Sequence, residues 1–220
     1  TLRLNWGEEL NAKRVSDSLD CGVKYDWLWA VHCETSSGAV NNMKMLEELS
    51  KQRGIKLCMD CTSSIGAFPV DVSKLFLSNA VSGKALGAYP GLTMVFYNHE
   101  VDSAPTQLPR YIDLGYYAQK GGIPFTMSSN LVYSLHEAVK RFKKSDLFSK
   151  TTDLSRWLRE SLEGLGFQIV AGSIETSPSV VTIKLPKTAN SVNIGDYLEE
   201  AGFLVSYKSS YLIKENWIQL

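Results

Sequence analysis

No stretch of the 220 residues approaches the run of about 20 apolar side chains that crosses a bilayer. The opening TLRLNWGEELNAKR has no apolar core of the kind a secretory signal needs. Nor is there an excess of charge of either sign, since 23 Lys and Arg balance 23 Asp and Glu. A nucleic-acid footprint and a membrane-surface charge pattern are both missing. The expected partners are therefore small molecules or protein chains, with no nucleic acid and no membrane, in the cytoplasm. Cysteine is scarce: Cys21, Cys33, Cys58 and Cys61 are too few and too scattered for a disulfide framework, which fits a reducing compartment. The three histidines, His32, His99 and His136, are far apart, and none has the i, i+4 spacing of paired metal ligands. One C-x-x-C does occur, in IKLCMDC. Residues three apart on a strand face opposite ways, and no second ligand pair completes a site, so these two are read as packing cysteines with no metal.

What remains is ordinary globular composition, 44% hydrophobic and 21% charged, enough for one large domain or a domain and a half. The first half alternates between strand and helix patterns. YDWLWAVHC (Tyr25 to Cys33) is a strand-like run; NNMKMLEELSKQRG (Asn41 to Gly54) has a polar cap, helical spacing and a closing glycine; IKLCMDC is a strand again. Val70 to Ser78 reads as a short helical turn, NAVSG as a third strand and LTMVFYN as a fourth. That order implies an α/β fold with a largely parallel sheet and ligands at the carboxyl ends of its strands. After a glycine- and proline-bearing stretch come two amphipathic helices, SSNLVYSLHEAVKRF, with Ser129 or Asn130 as its cap, and DLFSKTTDLSRWLRESLEGLG. Then follow FQIVAG, PSVVTIKLP, the helix NIGDYLEEAG, and the strands FLVSYK and ENWIQL, an α+β layer of a second, smaller domain. The start on Thr1, straight into strand-like residues, and the close on NWIQL read as the ends of a fragment.

Three features fall at successive strand ends: HCETSSG after the first, DCTSSIG after the second and SGKALGAYPG around the third. They deliver a hydroxyl cluster, one carboxylate (Asp60) and one isolated lysine (Lys84). A lysine with apolar, uncharged neighbours is pushed towards the neutral amine that attacks a carbonyl, the requirement of Schiff-base chemistry. A carboxylate held at the ring nitrogen of a pyridine aldehyde would keep that ring an electron sink. Taken singly, each residue has a plainer reading: a surface lysine beside a turn, a strand-end cap, a helix-capping threonine. SGK also resembles part of a phosphate loop, but Ser78 stands where the first glycine should, and Ala85 where Ser or Thr should bind magnesium.

The segments AVHCETSSGAVNNMKMLEEL, LCMDCTSSIGAFPVDV and SGKALGAYPGLTMVFYN resemble the class V aminotransferases among the fold-type-I pyridoxal-phosphate enzymes, in particular alanine–glyoxylate and 2-aminoethylphosphonate–pyruvate transaminases. The resemblance implies a three-layer sandwich with a mostly parallel sheet, N-terminally incomplete. Residues 1–125 would form a partial cofactor-binding large domain and residues 126–220 a small C-terminal α+β domain. It implies pyridoxal 5'-phosphate as cofactor, and transfer of an amino group between a small amino donor and a 2-oxo acid acceptor. Lys84 would bond the cofactor and shuttle the proton, Asp60 would partner the pyridinium, Thr35 would hydrogen-bond the ring hydroxyl and Thr62 would pack on the ring face. Thr126, in FTMSS, would reach the phosphate in a partner subunit, making a homodimer part of the site. Ser63 and Ser64 read as turn hydroxyls.

Some positions depart from the family pattern. Gly83 stands where Asn or Gln commonly precedes the lysine, and Ile218 or Gln219 stands where an arginine for the substrate carboxylate is expected. The phosphate-cradling loop is expected upstream of Thr1. Two other readings stay open: a lyase or desulfurase of the same family, for which no cysteine lies in an obvious loop opposite Lys84, and a diverged or truncated relative without catalysis.

Overall fold

Asn42 is extended and its side chain accepts the Met45 N–H, which starts helix α2 (Met43–Arg53); Gly54, left-handed at φ 64°, ends it. The computed structural model describes residues 1–8, 10–144, 146–172 and 175–220, with the side chains of residues 143 and 144 left aside. Helix α2 connects two parallel strands, β1 (Trp27–Val31) and β2 (Lys56–Asp60), the β-α-β unit expected from the alternation. Strand β3 (Leu77–Val81) adds to β2 in parallel and β4 (Thr93–Tyr97) adds to β3 antiparallel, giving a mixed sheet in the order β1-β2-β3-β4. The register pairs Val31 with Asp60 and Asp60 with Asn79, so the carboxyl ends of the three parallel strands share one edge.

One face of this sheet is covered by α2 and by α1 (Ala12–Leu19). Val15, Leu46, Leu57, Met59, Cys61 and Leu75 form a buried cluster there. Leu46 and Met59 are fully shielded, and burying side chains of this size contributes about 1.5–3 kcal/mol each. The other face follows from the alternation of side chains along a strand. It carries Trp29, paired through Cys58 and Leu77 to Tyr97, and both Trp29 and Tyr97 are exposed.

The second half begins with α3 (Leu114–Gln119), α4 (Ser129–Lys144) and α5 (Leu147–Gly164). An antiparallel sheet then forms from β5 (Gln168–Ile169), β6 (Thr182–Lys184) and β7 (Trp217–Gln219), with α6 (Ser191–Glu200) and α7 (Ser210–Glu215) between β6 and β7. Ile169, Val181, Ile183, Tyr207 and Ile218 make its core, against Leu158 and Leu162 of α5 and Ile194 and Leu198 of α6.

Several local expectations are corrected. Val70 to Ser78 is not a helical turn: its last two residues already pair with Cys58 and Met59 in the parallel ladder, so β3 starts at Leu77, before NAVSG. The described residues between Thr1 and Asn11 form no strand, and the first element described is α1, opened by Asn11 accepting the Arg14 N–H. Val132 bonds back to the Ser128 carbonyl, which places the α4 cap one residue before Ser129. FLVSYK contributes only a single bridge, Ser206 to Gln219. Helices α3 and α7 are not expected from the pattern; each spans six residues, too short to show a helical period.

Candidate active site

Each of the three strand ends opens into a turn, and the turns meet. After β1 the chain reverses through 34–39, with Gly38 N–H bonded to Glu34 O at 2.8 Å and Glu34 N–H to Ala39 O at 2.8 Å; this presents Thr35. After β2, the amides of Ser64 and Ile65 both return to Cys61 O, at 3.1 and 3.0 Å, in a tight turn that presents Thr62 and Ser63. After β3, fully buried Ser82 organises the lysine loop. Its hydroxyl donates to Tyr89 O at 2.7 Å and accepts from Leu92 N–H at 3.2 Å, while Gly87 N–H closes a turn on Lys84 O at 2.7 Å. From α4, Arg141 Nη2 donates to the carbonyls of Leu86 and Gly87 at 3.0 and 3.1 Å, and Ser134 Oγ accepts from Tyr89 N–H at 3.0 Å.

Gly66 lets the second and third turns touch. It sits at φ +91°, and a Cβ there would fall 2.7 Å from Leu86 N and 2.8 Å from the carbonyl carbon of Ala85. With the turns this close, Lys84 Nζ donates to Ser63 Oγ at 2.8 Å and to Thr35 Oγ1 at 3.3 Å, and the two hydroxyls bond each other at 2.5 Å. The result is a closed triangle of one amine and two hydroxyls drawn from three strand ends.

Asp60 ends β2 half-buried, and its Oδ1 accepts the Thr62 N–H at 2.9 Å, an Asx turn that shapes the start of the second loop. Thr62 turns its hydroxyl to Asn79 Nδ2 at 3.2 Å, and Asn79 Oδ1 takes the Cys61 N–H at 3.3 Å. Asn79 thus fastens the second turn to β3. Thr126 stands apart, exposed before α4, and none of the hydrogen bonds described for the Lys84 triangle reaches it. The apolar, desolvated setting expected for Lys84 is not what surrounds it: the lysine is exposed and its amine meets hydroxyl oxygens.

His32 supports the second turn from below. It is 6% exposed, with Nδ1 2.9 Å from Ser64 Oγ and its ring edge-on to Phe68. The Ser64 proton goes to Cys61 O at 3.2 Å, which leaves His32 Nδ1–H as the donor of the pair. Burial pulls His32 down to about 4, so the ring is neutral near pH 7. Three of the four thiols, Cys33, Cys58 and Cys61, are buried, and burial pushes Cys61 up to about 11. Cys58 and Cys61 are both free, and Cys61 packs in the first core.

Ser63, Asn79 and Gln219 have roles at the site that the sequence does not announce. Ser63 sits in a run of small hydroxyl residues that also reads as an ordinary turn. Asn79 carries a signal as the one amide within an otherwise small or apolar strand, LSNAV. Gln219 reaches Thr35 O from β7, a contact between residues 184 positions apart that has no local signature.

The mixed α/β sheet carries an amine, a carboxylate and a hydroxyl cluster at the carboxyl ends of its parallel strands, the edge at which open α/β folds bind ligands. The Aminotransferase class-V family model matches residues 2–207, and the chain belongs to that family. It is 30% identical over 208 residues to an uncharacterised aminotransferase of Methanocaldococcus jannaschii, an alignment covering 84% of this chain and 52% of that protein. It is 26% identical over 171 residues to a 2-aminoethylphosphonate–pyruvate transaminase of Pseudomonas putida, covering 72% of this chain and 46% of that one. The chain thus spans about half the length of these relatives. The crystal structure of an alanine–glyoxylate aminotransferase from Nostoc sp. superposes with a TM-score of 0.81 at 22% identity, over 100% of this chain and 62% of that one. The fold is that of the fold-type-I aminotransferases. Among the described residues, no helix is long and apolar enough to cross a membrane.

Proposed function

We propose that this chain carries the reactive lysine of a pyridoxal-phosphate-dependent aminotransferase that moves an amino group between a small amino compound and a 2-oxo acid. The observation that carries the reading is the triangle of Lys84, Ser63 and Thr35, with Asp60 on the neighbouring strand end. The donor set fits the cofactor: pyridoxal phosphate bears an aldehyde, a ring nitrogen and a ring hydroxyl, and this edge offers an amine, a carboxylate and hydroxyls. When bound, the group supplies a carbonyl for the amine and a ring that takes up electrons from the bond broken at the substrate carbon. Lys84 is the residue that would bond it through its amine, and the same amine, when free, would move a proton at the substrate carbon. Asp60 would hold a proton at the ring nitrogen, Thr35 would orient the ring through its hydroxyl, and Thr62 would lie against the ring face. Thr126, exposed before α4, is free to face a second copy of the chain, as a shared site in a homodimer requires. In this reading residues 1–125 are the cofactor-binding part and residues 126–220 the smaller domain.

A desulfurase-type lyase needs an accessible nucleophilic thiol near the reactive lysine; Cys33, Cys58 and Cys61 are buried, and the exposed Cys21 sits beside Tyr25 ahead of β1, at the amino end of that strand, opposite the edge that carries Lys84. The test is the visible absorption spectrum after addition of pyridoxal phosphate, beside a Lys84→Ala control. A band that depends on Lys84 and changes when an amino compound is added is the expected result. A folded protein with no lysine-dependent band is a relative that has kept the fold without the chemistry.

A further inference from the structure

Gln219 is the last residue of β7, in the second sheet, yet its carboxamide works mainly outside that sheet. Nε2 donates to Thr35 O at 2.7 Å and lies 3.2 Å from Ser36 O and 3.0 Å from Thr182 Oγ1. Thr182, fully shielded on β6, donates in turn to Ser36 O at 2.9 Å. The same loop is gripped further along. Ser177 N–H bonds Gly38 O at 2.8 Å, and Gly38, at φ +76°, lies so near that a Cβ would fall 2.6 Å from Val180 O.

These contacts fix the orientation of two consecutive peptide groups, those that leave Thr35 and Ser36. A peptide plane held at its carbonyl sets the direction of the adjoining Cα–Cβ bonds, and the Thr35 hydroxyl is one bond further on. A primary amide of this length suits the position. Its two N–H groups satisfy facing carbonyl and hydroxyl oxygens, whereas a carboxylate would oppose those oxygens and a thioether would leave them without a donor.

We infer that Gln219 is a positioning residue, holding the Thr35 hydroxyl against the Lys84 amine and thereby coupling the second sheet to the strand-end site. The inference rests on the reading of Lys84 as the reactive amine. It differs from a role in binding substrate: the amide protons of Gln219 are committed to the chain itself.

Two variants test it, Gln219→Glu, of equal length without donors, and Gln219→Met, of equal length without polarity. If the charge of the first prevents folding, the second carries the test. Two readouts are taken: hydrogen exchange of the backbone in residues 32–40, and the rate at which the Lys84-dependent band forms on addition of pyridoxal phosphate. The expected result is exchange in 32–40 faster by about tenfold, with band formation slowed by roughly five- to tenfold, the scale of one or two lost hydrogen bonds. Faster exchange with an unchanged band overturns the proposal, because the loop would then be fastened without consequence for Lys84. Unchanged exchange overturns it directly. Absence of the band from the parent protein sinks the aminotransferase reading instead, and the exchange readout then decides by itself whether Gln219 holds the loop.

Discussion

Lys84 Nζ lies 2.8 Å from Ser63 Oγ, nearer than to Thr35 Oγ1 at 3.3 Å. The amine donates to both hydroxyls, and each hydroxyl has one proton of its own to give. Of the Ser63–Thr35 pair, one hydroxyl donates to the other, and each presents lone pairs to the lysine. The pair therefore orients the amine as an acceptor platform, and its nearer member is the serine that reads in the sequence as a turn residue.

Ser63→Ala removes that nearer acceptor while leaving the turn, whose backbone bonds run through Cys61, Ser64 and Ile65. If Lys84 is the reactive amine, loss of one of its two hydroxyl partners, worth about 1 kcal/mol, should lower kcat for amino transfer by about fivefold. The Michaelis constant for the amino donor should change little, and Ser63→Thr should restore much of the rate. Steady-state kinetics of the three proteins check this; a Ser63→Ala enzyme with undiminished kcat would return Ser63 to the status of a turn hydroxyl.

Of the site, the parts legible in the sequence are those with local chemistry. Lys84, Asp60 and Thr35 each lie at the end of an apolar strand run, and strand ends in a parallel sheet share an edge, so the meeting of Lys84 with Thr35, and the place of Asp60 on the same edge, follow from topology. Helix α2 is legible because cap, period and closing glycine agree. What is not legible comes from tertiary packing. The exposure of Lys84 depends on what surrounds the loop in space, and the choice among Ser63, Ser64 and Thr62 depends on which way the second turn rolls. That roll is set by Gly66 against Leu86 and by Asn79 on β3. The direction of β4 is hidden because LTMVFYN has the same pattern whichever way it pairs.

Gly83 departs from the Asn or Gln that the resemblance leads one to expect before the lysine, and packing supplies a reason for the glycine. A Cβ at this position would stand 2.6 Å from Pro90 Cβ and 2.8 Å from Pro90 Cα, because the lysine loop folds back on itself. Gly83→Gln, a change towards the residue that the resemblance implies, is therefore expected to destabilise the protein by about 1–3 kcal/mol and to bring no tighter binding of pyridoxal phosphate. Urea unfolding and a cofactor titration measure the two effects. A stable variant with higher affinity would mean that Pro90 yields easily and that the glycine has another cause.

His32 gives the fold a pH dependence whose sign can be worked out. Burial holds it at about 4, whereas in the unfolded chain it returns to about 6.5. Between these values the unfolded state binds a proton that the folded state refuses, so stability is unaffected above pH 6.5 and declines as pH falls towards 4. By pH 4.5 the loss should reach roughly 2–3 kcal/mol. A His32→Asn variant has no titrating group at this position, yet its side-chain amide can still donate to Ser64 Oγ, which keeps the turn beneath Ser63 in place. Urea unfolding of parent and variant from pH 7.5 to pH 4.5 isolates the histidine, because carboxylate titrations are common to both and cancel in the difference. The parent should lose stability faster than the variant across this window. Parallel profiles would mean that the folded protein accommodates a charged His32, and the second turn would then owe its position to Gly66 and Asn79 without a neutral imidazole beneath it.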